Sequence, residues 1–345
     1  MSNNRQKFDE EFKKNAVRLS YASSKTVQEV ADDLGIVVSM LYRWRKRYTP
    51  QGDKTQYATM EEENRALRLE NAELKMERDM LKKQRPTSQR TKSKDGDEIR
   101  LYRRASDEGR GTYGVDRICG LFRKNGYKAS YGHIKRLMDD MGLVSIHRRR
   151  RQRSLTDSRK ARGDGYPNLT KGLEITEPFQ VISSDFSYIR TDEGFGYTCQ
   201  IRDVVSNVVL AESMADNMRS DLVVDTIKQA NKRWHLPEGT IFHSDRGSQY
   251  TSEAVMSLIK KYGLKQSFSR IGMPGDNAWS ESFFANMKKE QVHWWHFKTI
   301  DEARQVLFEY IKVFYNRQRV QKRLGYLSPI QWLKQWQQKG SQLVA

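Results

Sequence analysis

Residues 60 to 81 read MEEENRALRLENAELKMERDML, and Met60, Leu67, Leu74 and Leu81 recur at every seventh position. A single narrow stripe of this period is the seam of a coiled coil. With those residues at d, Asn64, Asn71 and Arg78 fall at a. Leucine at d with asparagine at a specifies parallel two-stranded pairing, at some cost in stability. Self-association into a dimer or larger is therefore expected through Leu67, Leu74, Leu81, Asn64 and Asn71, helped by contacts elsewhere. A single amphipathic helix packed on its own chain is the alternative. A seam over 58–83 divides the chain into modules, and 345 residues are enough for two to four of them.

The module before the seam, 1–55, is helical. EEFKKNAVRLS places Phe12, Ala16, Val17 and Leu19 at helical spacing, and Thr26 can cap a short helix bearing Val27, Val30, Ala31 and Leu34. Gly35 permits a tight turn, and a second helix starts near Ser39 and carries Leu41 and Trp44. Its basic residues, Arg43, Arg45, Lys46 and Arg47, are concentrated rather than spread. A short helix, a glycine turn and a basic helix form a helix-turn-helix pattern whose second helix enters the major groove. An ordinary three-helix bundle with a solvated basic face is the rival reading.

After the seam, 84–96 reads as a basic linker. Helices follow in a second module, 97–145, one over about Val115 to Lys124 and one capped by Ser130, with Ile134, Leu137, Met138 and Met141 as its apolar face. Tyr131, Lys135 and Arg136 are candidates for phosphate contacts, and a structural spacer is nearly as good a description. HRRRRQRS then packs five arginines into seven residues, Arg148, Arg149, Arg150 and Arg151 among them, within a linker over 146–174. Such a run suits a DNA backbone, where it positions without specifying. The formal charge of +19 favours a polyanion, and no apolar run of 18 residues offers a membrane span. Cys119 and Cys199 stand far apart with no CxxC, so they read as buried thiols in a reducing cytosol, with the protein close to the nucleoid.

From 175 to 300 the pattern changes to strands. FQVISSDFSYI, YTCQIRDVVSNVVLAESM (two strands meeting near Val205–Asn207) and TIFHSD are strand-like, and SDLVVDTIKQANKRW and EAVMSLIKKYGL are amphipathic helices. The whole is multidomain: α-helical modules and a coiled coil, then a mixed α/β core with helices packed on a sheet.

Asp185 ends the first strand or lies within it on an exposed sheet edge, and Asp245 follows the fourth strand directly. Asp276 or Asn277 can cap a helix whose first turns hold Glu281, with Lys288 seven residues on. An aspartate in so apolar a strand needs a partner, and a divalent cation serves. Two aspartates and a glutamate are hard oxygen ligands for Mg²⁺ or Mn²⁺ rather than zinc. Two such ions can aim a water or 3′-hydroxyl and stabilise a leaving oxygen. Taken singly, each carboxylate could be a cap or a solubilising charge.

SDFSYI, HSDRGSQYTS and GMPGDNAWSESFFANMKKE, with 35 residues between Asp245 and Glu281, resemble the catalytic core of bacterial insertion-sequence transposases with a retroviral-integrase type, ribonuclease H-like fold. The resemblance is to the family made as a frameshift fusion of two reading frames, and it extends to the helix-turn-helix, the zipper, the linking module and the C-terminal EARQVLFEYIKVFYNRQRVQKRLGYLSPIQWL. It implies a fused join near 82–95, a core over 175–300 and a C-terminal helical region over 301–345. It further implies that Asp185, Asp245 and Glu281 hold two Mg²⁺ or Mn²⁺ ions. The implied reaction frees a 3′-OH at one element end, joins it near the other, and inserts the joined ends into target DNA, the copy-out–paste-in route. His243, Gln249, Asn277 and Lys288 would support the site. Arg246, Asn277, Lys288 and Arg317 would touch DNA, as would Ser39, Tyr131 and the basic residues named above. Two positions depart from the family: Ile182 stands where a tryptophan is common, and Gln321 where a histidine follows the arginines.

Three further residue groups bear on the reading. Asp203 reads as structural, although the second strand could bring it to the metals. Gly247, Gly272 and Gly275 read as loop formers. His293 and His296 flank two tryptophans and read as satisfied imidazoles on a hydrophobic surface. Two other functions compete: a ribonuclease H-like structure-specific nuclease, which needs the same carboxylates but none of the N-terminal modules, and a DNA-binding regulator with an inactive core.

Overall fold

The computed structural model describes residues 8–23, 25–48, 102–146, 167–270 and 274–343. The zipper, the 84–96 linker, the expected join and Arg148 to Arg151 lie outside them. Contacts divide the chain into a unit over Glu10–Arg104 and a larger one containing Ala105–Ala345.

In the smaller unit, α1 (Glu10–Ala22), α2 (Val27–Leu34) and α3 (Val38–Tyr48) enclose Phe12, Val17, Val30, Leu34, Leu41 and Trp44. Thr26 and Glu29 form a reciprocal capping box at the start of α2, and Gly35 ends it with φ 62°. The turn that follows aims α3 across α1, where Phe12 meets Trp44 edge to face at 6.1 Å.

The larger unit resumes with helical turns over 105–108, then α4 (Val115–Lys124) and α5 (Tyr131–Asp140). Ser130 caps α5 by accepting from the His133 N–H. This module docks on the C-terminal segment. Arg110 makes a two-pronged pair with Glu309 at 2.8 and 2.6 Å, and the Tyr113 hydroxyl accepts from the Val320 N–H at 2.9 Å. Gly120 is required by proximity: a Cβ there would lie 1.9 Å from the Tyr326 ring.

The core is a five-stranded sheet in the order β3-β2-β1-β4-β5. Strands β1 (Val181–Thr191), β2 (Gly194–Asp203) and β3 (Val209–Ala215) form an antiparallel meander, while β4 (Ile241–Ser244) and β5 (Lys265–Phe268) run parallel to β1. One face packs under α6 (Ser220–Trp234) and α7 (Glu253–Lys261) through Ile182, Ile201, Val223, Ile227 and Phe242. The other carries α8 (Ala278–Glu290) and α9 (Ile300–Glu309), continued by a π-helical stretch over Tyr310–Gln318, with α10 (Pro329–Leu343) closing the chain. Ile189, Phe283, Met287, Leu307 and Phe314 share one cluster there, so the region read as separate from 301 onward supplies part of this core. Asn316 brackets the β3 edge, accepting from the Val209 N–H and donating to its carbonyl, both at 2.9 Å. Cys119 and Cys199 are free, buried thiols.

Candidate active site

Asp185 lies inside β1, the central strand, and not on an exposed edge as its sequence context suggested. Ser183 pairs with His243 across the parallel β1–β4 register, so Asp185, two residues further along β1, stands level with Asp245, just past the end of β4. Glu281 arrives from α8. The Ser280 hydroxyl donates to Ser183 Oγ at 3.1 Å and Asn277 Nδ2 donates to the Ser184 carbonyl at 3.3 Å, which fixes the first turn of α8 over β1. Asn277 and Asp276 therefore do not cap α8 with their side chains. Asp276 is held instead by Arg270 at 2.9 and 3.0 Å and by Asn168 at 3.0 Å.

Asp185 feels the other two carboxylates. Burial pushes Asp185 up to about 8, the charges of Asp245 and Glu281 push the same way, and the Phe186 N–H and Lys288 give partial relief. Desolvation also raises Asp245, opposed by the Gly247 N–H at 3.0 Å, and it raises Glu281 on the exposed first turn of α8. Lys288 is lowered by burial and drawn back by Asp185, and its Nζ lies 4.7 Å from the centre of the Tyr188 ring. Among the described residues, no three such groups are drawn close enough to enclose a metal ion as they stand. The donor set of hard oxygens, with Asp185 buried and repelled by the other two, nonetheless fits a divalent cation.

The neighbours differ in role. His243 is fully buried between Ser267 Oγ (2.9 Å) and Ser269 Oγ (3.2 Å), and burial holds its imidazole below the ordinary value. It secures β4 to the strand beside it rather than reaching Asp245. Gln249 donates to the Met218 carbonyl at 3.2 Å. Gly247 is needed for space: a Cβ would sit 2.8 Å from Gln249 Oε1 and 3.0 Å from Asp245 Oδ1. Tyr250, buried against Phe186 and Phe242 and 3.0 Å from Ser184 Oγ, anchors the loop in which Asp245 stands. Arg246 Nε donates to the Ser269 carbonyl at 2.9 Å, and Arg317 is half-buried in the π-helical stretch.

Asp203 lies away from this cluster. Its oxygens accept from the Phe179 N–H (2.7 Å), the Ser206 N–H (2.7 Å) and the Ser206 hydroxyl (2.5 Å), tying the β2–β3 turn to the start of β1. Gln200 is the neighbour that strand patterning missed. It faces Asp185 directly in the β1–β2 register, fully buried, with both ends of its amide lacking a hydrogen-bond partner. Counting inward along β2 from the paired Asp203 would have placed it there.

On the DNA-facing candidates, Ser39, Tyr42, Arg43 and Lys46 form one exposed face of α3, spaced three and four residues apart. Arg45 instead lays its guanidinium 3.8 Å from the Tyr21 ring, and Arg47 reaches the Tyr48 ring at 5.4 Å. Tyr131, Lys135 and Arg136 are exposed on α5, where Lys135 pairs with Asp139 at 3.1 Å. Among the described residues, no helix is long and apolar enough to cross a membrane.

Comparison with known proteins agrees with the order of helical modules and mixed α/β core. Residues 2–72 match a family described as Transposase, 94–151 an HTH-like domain, and 175–274 and 281–336 the Integrase core domain. The chain is 36% identical to the transposase for insertion sequence element IS904 of Lactococcus lactis, over 64% of this chain and 87% of the relative. It is 34% identical to a 31 kDa protein of insertion element IS600 from Shigella sonnei, over 66% and 84%. It is 33% identical to transposase InsF for insertion sequence IS3A of Escherichia coli, over 64% and 76%. With helix-turn-helix modules ahead of an integrase core and relatives matched over most of their length, the chain belongs to the IS3 family of insertion-sequence transposases.

Proposed function

We propose that Asp185, Asp245 and Glu281 form the centre that cleaves a 3′ end of the element and joins it to a second DNA site. The observation that carries this reading is the convergence of three carboxylates, from β1, from the loop after β4 and from the first turn of α8, on one end of the sheet. They would hold two Mg²⁺ or Mn²⁺ ions, and metal chemistry at this donor set activates a water or 3′-hydroxyl and stabilises the departing oxygen.

The chain's own groups do the positioning. The Phe186 N–H orients Asp185 and the Gly247 N–H orients Asp245. Lys288 supplies a cation beside Asp185, suited to a phosphate of the bound strand. The exposed face of α3 would read the terminal inverted repeats in the major groove, and α5 would contact phosphates. Pairing through Leu67, Leu74 and Leu81 would bring two ends and two active sites together, consistent with a copy-out–paste-in route.

The test is a labelled duplex carrying the terminal repeat, incubated with Mg²⁺ and wild type, Asp185→Asn, Asp245→Asn or Glu281→Gln. Cleavage and end joining by wild type, lost in all three variants with binding retained, is expected. Cleavage of non-cognate DNA without joining would favour the nuclease reading. Binding without cleavage by wild type on paired ends would favour a regulator.

A further inference from the structure

The loop that leaves α8 presents two indoles to solvent: Trp294 is 63% exposed and Trp295 50%. Apolar side chains of this size gathered on a surface mark an interaction site more often than a solvated face. Neither is loosely held. Trp294 Nε1 donates to the Lys289 carbonyl at 2.7 Å, and Trp295 lies nearly parallel to Phe297, 13° between planes with centres 6.3 Å apart. The loop is fastened to the β1–β2 hairpin, where the Asp192 N–H donates to the Phe297 carbonyl at 3.1 Å and His296 pairs with Asp192 at 3.0 Å. That hairpin adds Tyr188 and Phe195, both exposed and edge to face at 5.5 Å. Lys288 lies against Tyr188, seven residues along α8 from Glu281, so the aromatic surface starts beside the carboxylates.

We propose that this surface binds the bases of unpaired nucleotides at an element end, holding the strand open beside Asp185, Asp245 and Glu281. The inference rests on the cleavage-and-joining reading above. Exposed rings offer stacking partners that accept any base, and cations alongside follow the backbone. Both parts are present: Lys288 lies over the Tyr188 ring, and Arg190 and Lys298 are exposed on the same hairpin and loop as the aromatic residues, with Lys289 exposed at the end of α8. A second copy is a poorer occupant of this patch, because the exposed cations beside the rings would meet the same cations on the copied surface.

The test uses the full chain without divalent ion, so that binding is read apart from chemistry. Two terminal-repeat duplexes carry 2-aminopurine near the end, one with the last three nucleotides unpaired and one fully paired. Wild type is expected to bind the frayed end more tightly and to quench its fluorescence. Trp294→Ala and Trp295→Ala should each weaken that binding about tenfold while leaving the paired duplex unchanged, and the corresponding Trp→Phe variants should keep most of it. Alanine variants that bind both duplexes as wild type does would overturn the proposal. So would a fall in self-association on sedimentation, which would make the indoles a protein contact. If wild type prefers the frayed end yet never cleaves with Mg²⁺, the stacking site stands and the catalytic reading fails.

Discussion

Helix α8 carries two glutamates nine residues apart in opposite circumstances. Glu290, in the last turn, is buried and accepts from Arg319 at 2.6, 2.7 and 3.0 Å and from the Tyr310 hydroxyl at 2.8 Å. Glu281, in the first turn, is exposed, has no hydrogen bond or ion pair among the described residues, and is raised by desolvation. The same contrast separates Asp203, whose carboxylate takes three hydrogen bonds, from Asp185, which accepts from the Phe186 N–H and is pressed by two other carboxylates. A carboxylate whose oxygens are satisfied by the protein secures the fold. One left short of donors, as Asp185 and Glu281 are, is where we propose that a cation binds.

The contrast makes graded predictions. Glu290→Gln should cost about 3–5 kcal/mol, because Arg319 loses the charge that compensates its burial, and thermal unfolding should show it. Glu281→Gln should move stability by less than about 0.5 kcal/mol while abolishing cleavage. A Glu281→Gln protein that melts like Glu290→Gln would break the distinction. Gly247→Ala comes next. Its methyl meets Asp245 Oδ1 at 3.0 Å, and displacing that carboxylate should lower cleavage by about 10²-fold in single-turnover assays with little loss of stability. Asp203→Ala should cost about 2 kcal/mol by denaturant titration, with cleavage per folded molecule unchanged. Tyr188→Leu removes the ring beneath Lys288 and should cost about 0.5–1 kcal/mol in thermal unfolding.

How much of this was legible in sequence depended on whether the determinant was local. The capping box at Thr26, the left-handed Gly35, the Ser130 cap and the first four strands follow from neighbours a few residues apart, and each lies where its pattern put it. The spacing of Asp185, Asp245 and Glu281 was equally plain. What was hidden depended on distant partners. β5 is only four residues, KQSF, too short to alternate visibly, and it exists because β4 and the Pro167 carbonyl pair with it. Asp276 and Asn277 have the chemistry of helix caps, but Arg270 and the Ser184 carbonyl claim their side chains. Gln200 escaped notice because β2 is covered on both faces, so alternation does not separate core from site.

We propose that Asp185, Asp245 and Glu281 are a divalent-metal site, whereas the satisfied Asp203 is not. Mn²⁺ binding followed by electron paramagnetic resonance tests it directly on wild type, Asp185→Asn and Asp203→Asn. Binding that is lost or weakened at least tenfold in Asp185→Asn and retained in Asp203→Asn is the predicted result. Undiminished binding in Asp185→Asn, or equal loss in both variants, would contradict it.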